Sequence, residues 1–152
     1  MTRRFRFLPF LFAAVLFLGG CATTPAGEHP TLIPQPQQAK WGRGGYRLPD
    51  GVRIGISDPR LAPQADYLKQ ALAPCVSATL SETPQGDIRL QLDTASLAEE
   101  AYRLAVTRSG VRITGGSPRG VVNGIATLRQ LLPADEGAEA VIPRVEVEDA
   151  PA

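Results

Sequence analysis

Apolar and polar residues alternate with a period of two along several short stretches of the chain. This period is typical of strands that bury one face, because successive side chains point to opposite sides. In the clearest case Tyr102, Leu104 and Val106 alternate with polar or small residues. The same period resumes after a Gly-containing turn at 108–110, which predicts a β-hairpin. The predicted strands are residues 44–48, 52–56, 88–92, 102–107, 111–114 and 145–148.

Two other stretches have apolar residues at spacings of four, three and four, which is typical of one face of a helix. These residues are Leu61, Ala65, Leu68 and Leu72 in the first stretch, and Val121, Ile125, Leu128 and Leu132 in the second. Pro63 fits the first turn of the first helix, and Pro74 stops it. Ser117 is a suitable N-cap for the second helix, Pro118 suits its first position, and Pro133 ends it.

The predicted order of elements is β-β-α-β-β-β-α-β, which places the chain in the α+β class. The architecture expected for this order is a mostly antiparallel β-sheet with two helices packed on one face. These elements fall within residues 39–149. The 132 residues that follow position 20 suit one domain with one core.

The N-terminus has the layout of a secretory signal peptide, which we place at residues 1–20. Three arginines among the first six residues precede an apolar run of 12 residues, 7–18. This run is shorter than the roughly 20 residues that a membrane-spanning helix needs. The leucine, two glycines and Cys21 that follow resemble the lipobox of bacterial lipoproteins. The resemblance implies cleavage before Cys21 and lipidation of its thiol; an ordinary thiol is the other interpretation.

Residues 21–38 are polar and rich in proline, which suits a tether between a lipid and a folded domain. Acyl chains on Cys21 would make the membrane a partner of the protein. Ala22 follows Cys21, where an aspartate would indicate retention at the inner membrane. The resemblance therefore implies a lipid-anchored envelope protein of the outer membrane, facing the periplasm or the cell surface.

The charge balance argues against nucleic acid as a partner. The full sequence has 16 Lys+Arg and 15 Asp+Glu, and loss of the three N-terminal arginines leaves 13 against 15, a net charge of −2. Nucleic-acid-binding proteins usually have dense cationic stripes or aromatic platforms. The mature sequence has neither.

No cofactor or metal site is predicted. His29 is the single histidine, it lies in the Pro-rich tether, and it has no ligand or triad partners at suitable spacing. Cys75 is interpreted as a small buried apolar residue, since a lipidated Cys21 cannot pair with it. Glu99 and Glu100 are adjacent, so their side chains diverge and cannot flank one scissile bond as glycosidase carboxylates do.

The glycine-rich stretch 115–120 precedes the second helix. Such a turn can bind a phosphate at a helix N-terminus. It matches neither the dinucleotide-binding fingerprint nor the P-loop. A tight strand-to-helix turn is the favoured interpretation, and Gly120 and Gly124 are predicted to let the helix lie close to the sheet.

Four segments between residues 32 and 151 carry a family resemblance. They are Leu32-Ile33-Pro34-Gln35-Pro36-Gln37, the hairpin Tyr102 to Thr114, the helix Gly120 to Pro133 with Gly124, Thr127, Leu128 and Gln130, and Ile142-Pro143 to Glu148-Asp149-Ala150-Pro151. In this order and spacing they resemble the N-terminal, non-catalytic domain of family 20 glycoside hydrolases, the β-N-acetylhexosaminidases.

The resemblance implies a function whose chemistry lies in another domain. Family members remove terminal N-acetylhexosamine from glycans by substrate-assisted catalysis, using an Asp-Glu pair in a downstream (β/α)8 barrel. No residue of this chain matches that pair, so no catalytic residue is assigned. The barrel is absent after residue 152, and Ala152 stands where many members have an arginine. The chain alone is therefore predicted to be inactive, as the supporting domain of a β-N-acetylhexosaminidase.

Two alternatives remain open from the sequence. The chain is also consistent with a free-standing envelope lipoprotein that binds a glycan or a protein partner. The same type of domain could precede another glycosidase barrel, such as an α-glucuronidase or a family 84 enzyme. The sequence assigns no substrate-binding residues, glycan linkage or oligomeric state.

Overall fold

The computed structural model describes residues 29–134 and 139–151. The strands are Gln38–Arg47 (β1), Gly51–Ile56 (β2), Ser77–Leu80 (β3), Ile88–Leu92 (β4), Tyr102–Thr107 (β5), Gly110–Gly115 (β6) and Val141–Asp149 (β7). The α-helices are Ala62–Leu72 (α1) and Pro118–Gln130 (α2), and a short 3-10 helix, Pro59–Leu61, precedes α1. None of the helices in these ranges has the length and apolar character needed to cross a bilayer.

All seven strands belong to one sheet, in the order β1-β7-β5-β6-β4-β2-β3. The strands β1, β7, β5 and β6 pair antiparallel. The strands β6, β4, β2 and β3 pair parallel, over shorter registers. The sheet is mixed but mostly antiparallel, and the predicted α+β class is confirmed.

The predicted order of elements lacks one strand. The structure has β-β-α-β-β-β-β-α-β, because β3 follows α1. Of the four residues in β3 only Ala78 is buried, and Leu80 is 52% exposed. A short edge strand of this kind shows no period-two pattern of large apolar residues, so the sequence did not indicate it.

Strand β1 also differs from the prediction of residues 44–48, since it starts at Gln38 and ends at Arg47. Its register against β7 shifts between Trp41 and Gly45, where a bulge interrupts the alternation. The bulge contains Gly44 at φ +77°, a conformation that glycine adopts without strain. The interrupted period explains why only the second half of this strand was predicted.

Both helices pack on one face of the sheet, as predicted, and the structure shows that they also contact each other. Their fully buried residues include Leu61, Leu68 and Leu72 beside α1, and Val121, Ile125 and Leu128 on α2. Burial of each such side chain contributes about 1.5–3 kcal/mol. A Cβ at Gly124 would lie 2.5 Å from Ile113 Cγ2, so this glycine lets α2 lie close to the sheet, as predicted. Helix α2 ends at Gln130, so Leu132 lies beyond the helix.

The chain crosses over β2 between β3 and β4. Ile54 pairs with Leu80 on one side and with Ile88 on the other, so β4 begins at the level where β3 ends. Residues 81–87 therefore pass over the sheet face opposite the helices. They cross at Gly55, where a Cβ would overlap the carbonyl oxygen of Pro84. This close approach of two backbones requires glycine.

The folded domain extends into the segment that precedes β1. Leu32 is 5% exposed and belongs to the hydrophobic core. We call residues 32–37 the incoming segment. Part of the Pro-rich stretch assigned to the tether, residues 21–38, therefore packs against the domain that was predicted to begin at residue 39.

Candidate functional site

The incoming segment is fixed at one end by the C-terminus of α2. The Ile33 N–H donates to Gln130 Oε1 at 2.8 Å, and Gln130 Nε2 donates to the Ile33 carbonyl oxygen at 2.9 Å. The side-chain amide thus pairs with one residue of backbone, as a neighbouring strand would. We call this contact the Ile33–Gln130 pair. It joins residues 97 positions apart in the sequence.

The other end of the incoming segment is fixed where the chain leaves β7. Asp149 is 8% exposed, and its Oδ1 accepts a hydrogen bond from the Gln37 N–H at 3.2 Å. Gln37 Nε2 donates to the carbonyl oxygen of Ala150, also at 3.2 Å. The chain therefore enters and leaves the sheet side by side. Any domain joined after Pro151 would start next to this point.

A buried hydrogen bond joins α2 to the hairpin of β5 and β6. The hydroxyl groups of Tyr102 and Thr127 lie 2.6 Å apart, and both residues are buried. Burial raises the pKa of the Tyr102 phenol above its usual value; the hydrogen bond to Thr127 opposes this effect, and the charge of Asp149 adds to it. The phenol is therefore held in its neutral, hydrogen-bonding form.

These contacts bring together the four segments that carry the family resemblance. The incoming segment meets the helix segment at Gln130 and the last strand at Asp149, and the hairpin meets the helix at Thr127. The sequence indicated these residues only through the order and spacing of the motifs. It did not indicate that they contact one another. The structure shows a site of structural contacts that fixes where the chain enters and leaves the domain.

The glycines of the turn at 115–120 allow this part of the chain to pack closely against the loop before β5. A Cβ at Gly116 would overlap the carbonyl oxygen of Ala98, and a Cβ at Gly120 would overlap that of Ala101. Ser117 caps α2, accepting from the N–H groups of Arg119 and Gly120. The N–H groups of Gly116, Arg119 and Gly120 thus donate to acceptors within the domain and are not available to a phosphate. Gly120 lies against this loop rather than against the sheet, which corrects the prediction for that glycine.

The two adjacent glutamates have structural roles in the same loop. Glu99 is exposed and accepts a hydrogen bond at its carbonyl oxygen from Ser117 Oγ at 2.7 Å. The Glu100 carboxylate lies 3.1 Å from Arg119 Nε, and its carbonyl oxygen accepts from Asn123 Nδ2. Both residues fix the start of α2.

The structure places two of the other candidates on the domain surface. His29 stacks on Trp41, with ring centroids 4.5 Å apart and an interplanar angle of 4°. Cys75 is half-buried and packs against the core, with its Sγ 3.9 Å from the Pro133 carbonyl oxygen. Within residues 29–134 and 139–151, no three His, Cys, Asp or Glu residues are grouped as metal ligands would be. Cys21 lies outside these ranges.

The sheet face opposite the helices, which we call the open face, is polar. Arg103 lies on it between Asp93, at 3.9 Å, and Glu148, at 3.6 Å. A shallow groove passes over Ala105, bordered by Arg103 and Glu146.

Comparison with known proteins agrees with this geometry. The sequence model of glycosyl hydrolase family 20, domain 2, matches residues 29–150. A β-hexosaminidase of Porphyromonas gingivalis is 35% identical over 133 residues, covering 80% of this chain and 17% of its own length. One from Vibrio furnissii is 31% identical, covering 84% and 21%. This chain thus spans about a fifth of the curated relatives it matches.

Solved structures show the same fold. The solved structure of the family 20 β-N-acetylhexosaminidase from Streptomyces coelicolor superposes with a TM-score of 0.70 at 33% identity. The superposition covers 81% of this chain and 27% of that one. The contacts that join the four segments therefore lie within a known domain type. This chain belongs to glycosyl hydrolase family 20, as its domain 2, the non-catalytic domain of β-hexosaminidases.

Proposed function

We propose that this domain supports the catalytic (β/α)8 barrel of a β-N-acetylhexosaminidase that removes terminal N-acetylhexosamine from glycans. The observation that carries the proposal is the family match over residues 29–150, together with relatives about five times longer than the matched part. In such a protein the barrel follows β7 along the chain.

The contacts around Asp149 suit a supporting role. A linker in the random-coil regime lets two domains move independently. Here the backbone that leaves β7 is tied to Gln37, and Asp149 is almost completely buried. We infer that the barrel is attached to a rigid part of this domain, so that the supporting domain limits its motion.

The test is to express the protein encoded by the complete reading frame and to assay it with a chromogenic N-acetyl-β-glucosaminide. We expect the complete protein to hydrolyse it and residues 1–152 alone to be inactive. A complete protein that carries a barrel but does not act on this substrate would contradict the proposal. A stop codon directly after codon 152 would instead favour the free-standing envelope lipoprotein.

We also propose that Cys21 is lipidated and anchors the protein in the cell envelope, at the outer membrane of a Gram-negative host. The support is the basic, apolar and lipobox-like order of residues 1–21. More than one acyl chain is needed for stable anchoring.

Metabolic labelling with a palmitate analogue tests the anchor, because the chain has only two cysteines, Cys21 and Cys75. We expect Cys21→Ser to abolish labelling and the matched control Cys75→Ser to retain it. Label that is lost only in the Cys75 variant, or absent from the wild type, would refute the anchor.

A further inference from the structure

We propose that the edge strand β1 lies against the anionic head groups of the membrane, with Lys40 and Arg43 making the contact. This inference rests on the lipid anchor proposed at Cys21. It adds an orientation: the β1 edge of the sheet faces the bilayer, and the β3 edge faces away from it.

The charges of β1 have one sign. Its charged residues are Lys40, Arg43 and Arg47, all exposed, and the strand contains no acidic residue. Arg47 pairs with Glu139. Lys40 and Arg43 have no carboxylate within 4.0 Å among residues 29–134 and 139–151. Lys40 lies directly opposite Glu146 of β7, whereas the residue opposite the bulge that contains Arg43 is Arg144. Neither cation has to break an ion pair before it binds a phosphate group.

Arg43 lies in a bulge of β1 and is exposed. Between Trp41 and Gly45 the strand β1 has three residues opposite the single residue Arg144 of β7. Arg144 Nη1 donates to the carbonyl oxygen of Arg43 at 3.3 Å and so holds the bulge. Bulges redirect a side chain away from its neighbours in the sheet. Here two guanidinium groups, those of Arg43 and Arg144, belong to the same bulge.

The start of the described chain lies on this strand. His29 stacks on the ring of Trp41, in the middle of β1. Seven residues separate Cys21 from His29, and the eight Cα–Cα steps between them span about 28 Å at most when fully extended. Adjacent strands lie about 4.8 Å apart, so the β3 edge is roughly 29 Å farther from the anchor than β1. The tether thus keeps β1 within about 28 Å of the lipid anchor, a limit that does not hold for the β3 edge.

The physical consequence is a salt-dependent contact. Basic residues close to an anionic membrane surface each raise its binding constant about fivefold, and the attraction declines within a Debye length of about 10 Å in 0.1 M salt. Two cations together therefore favour the docked state about 25-fold. A zwitterionic bilayer offers no comparable attraction.

The only tryptophan of the chain, Trp41, reports on this contact. Residues 21–152, acylated at Cys21, are reconstituted into vesicles of phosphatidylcholine, with or without 30 mol% phosphatidylglycerol, that contain a lipid with a spin-labelled head group. We expect stronger quenching of Trp41 in the anionic vesicles, and loss of this difference in 0.5 M salt. Equal quenching in both vesicles would refute the proposal.

Matched double variants identify the residues. Lys40→Gln with Arg43→Gln removes two charges from β1, and we expect it to reduce the ratio of docked to undocked protein about 25-fold. Lys69→Gln with Arg112→Gln removes the same types of charge from exposed positions on α1 and on the open face. We expect this control to retain the quenching difference. Equal effects of both pairs would mean that net charge, rather than the β1 edge, attracts the protein.

Mass spectrometry of Cys21 separates failure of the anchor from failure of the orientation. Acylated protein whose Trp41 is not quenched in anionic vesicles refutes the orientation alone. Protein without acyl chains refutes the anchor, and with it this inference.

Discussion

The two halves of the sheet share one apolar core but differ in their other contacts. In the antiparallel half, polar contacts such as Tyr102–Thr127 and the Ile33–Gln130 pair join segments that are far apart in the sequence. In the parallel half, the apolar side chains of β2 and β4, including Ile54, Ile88 and Leu90, are fully buried, with α1 against β2 and α2 against β4. Its most constrained point is the crossing of two backbones at Gly55.

We therefore expect packing in the parallel half to determine the stability of the whole domain, and hydrogen bonds in the antiparallel half to determine the geometry of the chain ends. Apolar burial is roughly proportional to area and has no direction, so the parallel half depends on close packing. Hydrogen bonds are directional, so the antiparallel half fixes where the chain enters and leaves the domain. Substitutions in the parallel half should therefore affect global unfolding, whereas those at the Ile33–Gln130 pair should act locally.

The largest effect is expected for Gly55→Ala. The new Cβ would overlap the carbonyl oxygen of Pro84, so the crossing loop must shift, at a cost of about 3 kcal/mol in the free energy of unfolding. Gly51→Ala in the same strand is the control, because nothing lies within 4 Å of its Cβ position. Urea unfolding followed by Trp41 fluorescence measures both. An equal stability of the two variants would contradict a crossing that requires glycine.

A smaller effect is expected for Thr127→Val. This change leaves the buried Tyr102 hydroxyl without its partner, which should cost about 1–3 kcal/mol of stability. Tyr102→Phe in the same background removes the unpaired group and should recover part of the loss. A double-mutant cycle by urea unfolding measures the coupling. Strictly additive effects would show that the hydrogen bond does not stabilise the antiparallel half.

Gln130→Ala should have a local effect. It removes both hydrogen bonds of the Ile33–Gln130 pair, at a cost of about 1 kcal/mol because the pair is exposed. Hydrogen exchange should accelerate at the Ile33 amide and remain unchanged in β4. Gln70→Ala, at an exposed position of α1, is the control. Acceleration throughout the domain would mean that the incoming segment unfolds together with the core.

The smallest expected effect is on the loss of stability at alkaline pH. Burial raises the pKa of Tyr102 in the folded state, so the unfolded chain loses this proton first as the pH rises. The stabilisation that comes from this difference in pKa is fully present below about pH 10, the pKa of the phenol in the unfolded chain, and it declines above that pH. We expect Tyr102→Phe to have a flatter decline in Tm between pH 9.5 and 11 than the wild type. Parallel curves would mean that the folded and unfolded phenols titrate alike.

Most strands and both helices could be predicted from the sequence because their apolar periods are local. Val52 and Ile54, for example, alternate with exposed or small residues, and the α2 face repeats at helical spacing. Strand β3 could not be predicted, since it buries only Ala78. The glycines at 115–120 were correctly assigned to a tight turn, but the partner of Gly120 proved to be the loop before β5.

The sequence by itself determined the α+β class, the positions of most elements and, through four ordered segments, the family. Each of these depends on patterns within a few residues of one another or on motif order along the chain. Only the tertiary structure decided the strand order, the crossing over Gly55 and the contacts of Ile33 with Gln130 and of Gln37 with Asp149. Those contacts join residues 97 and 112 positions apart, and no local pattern records such a distance. Packing against a common core brings them together.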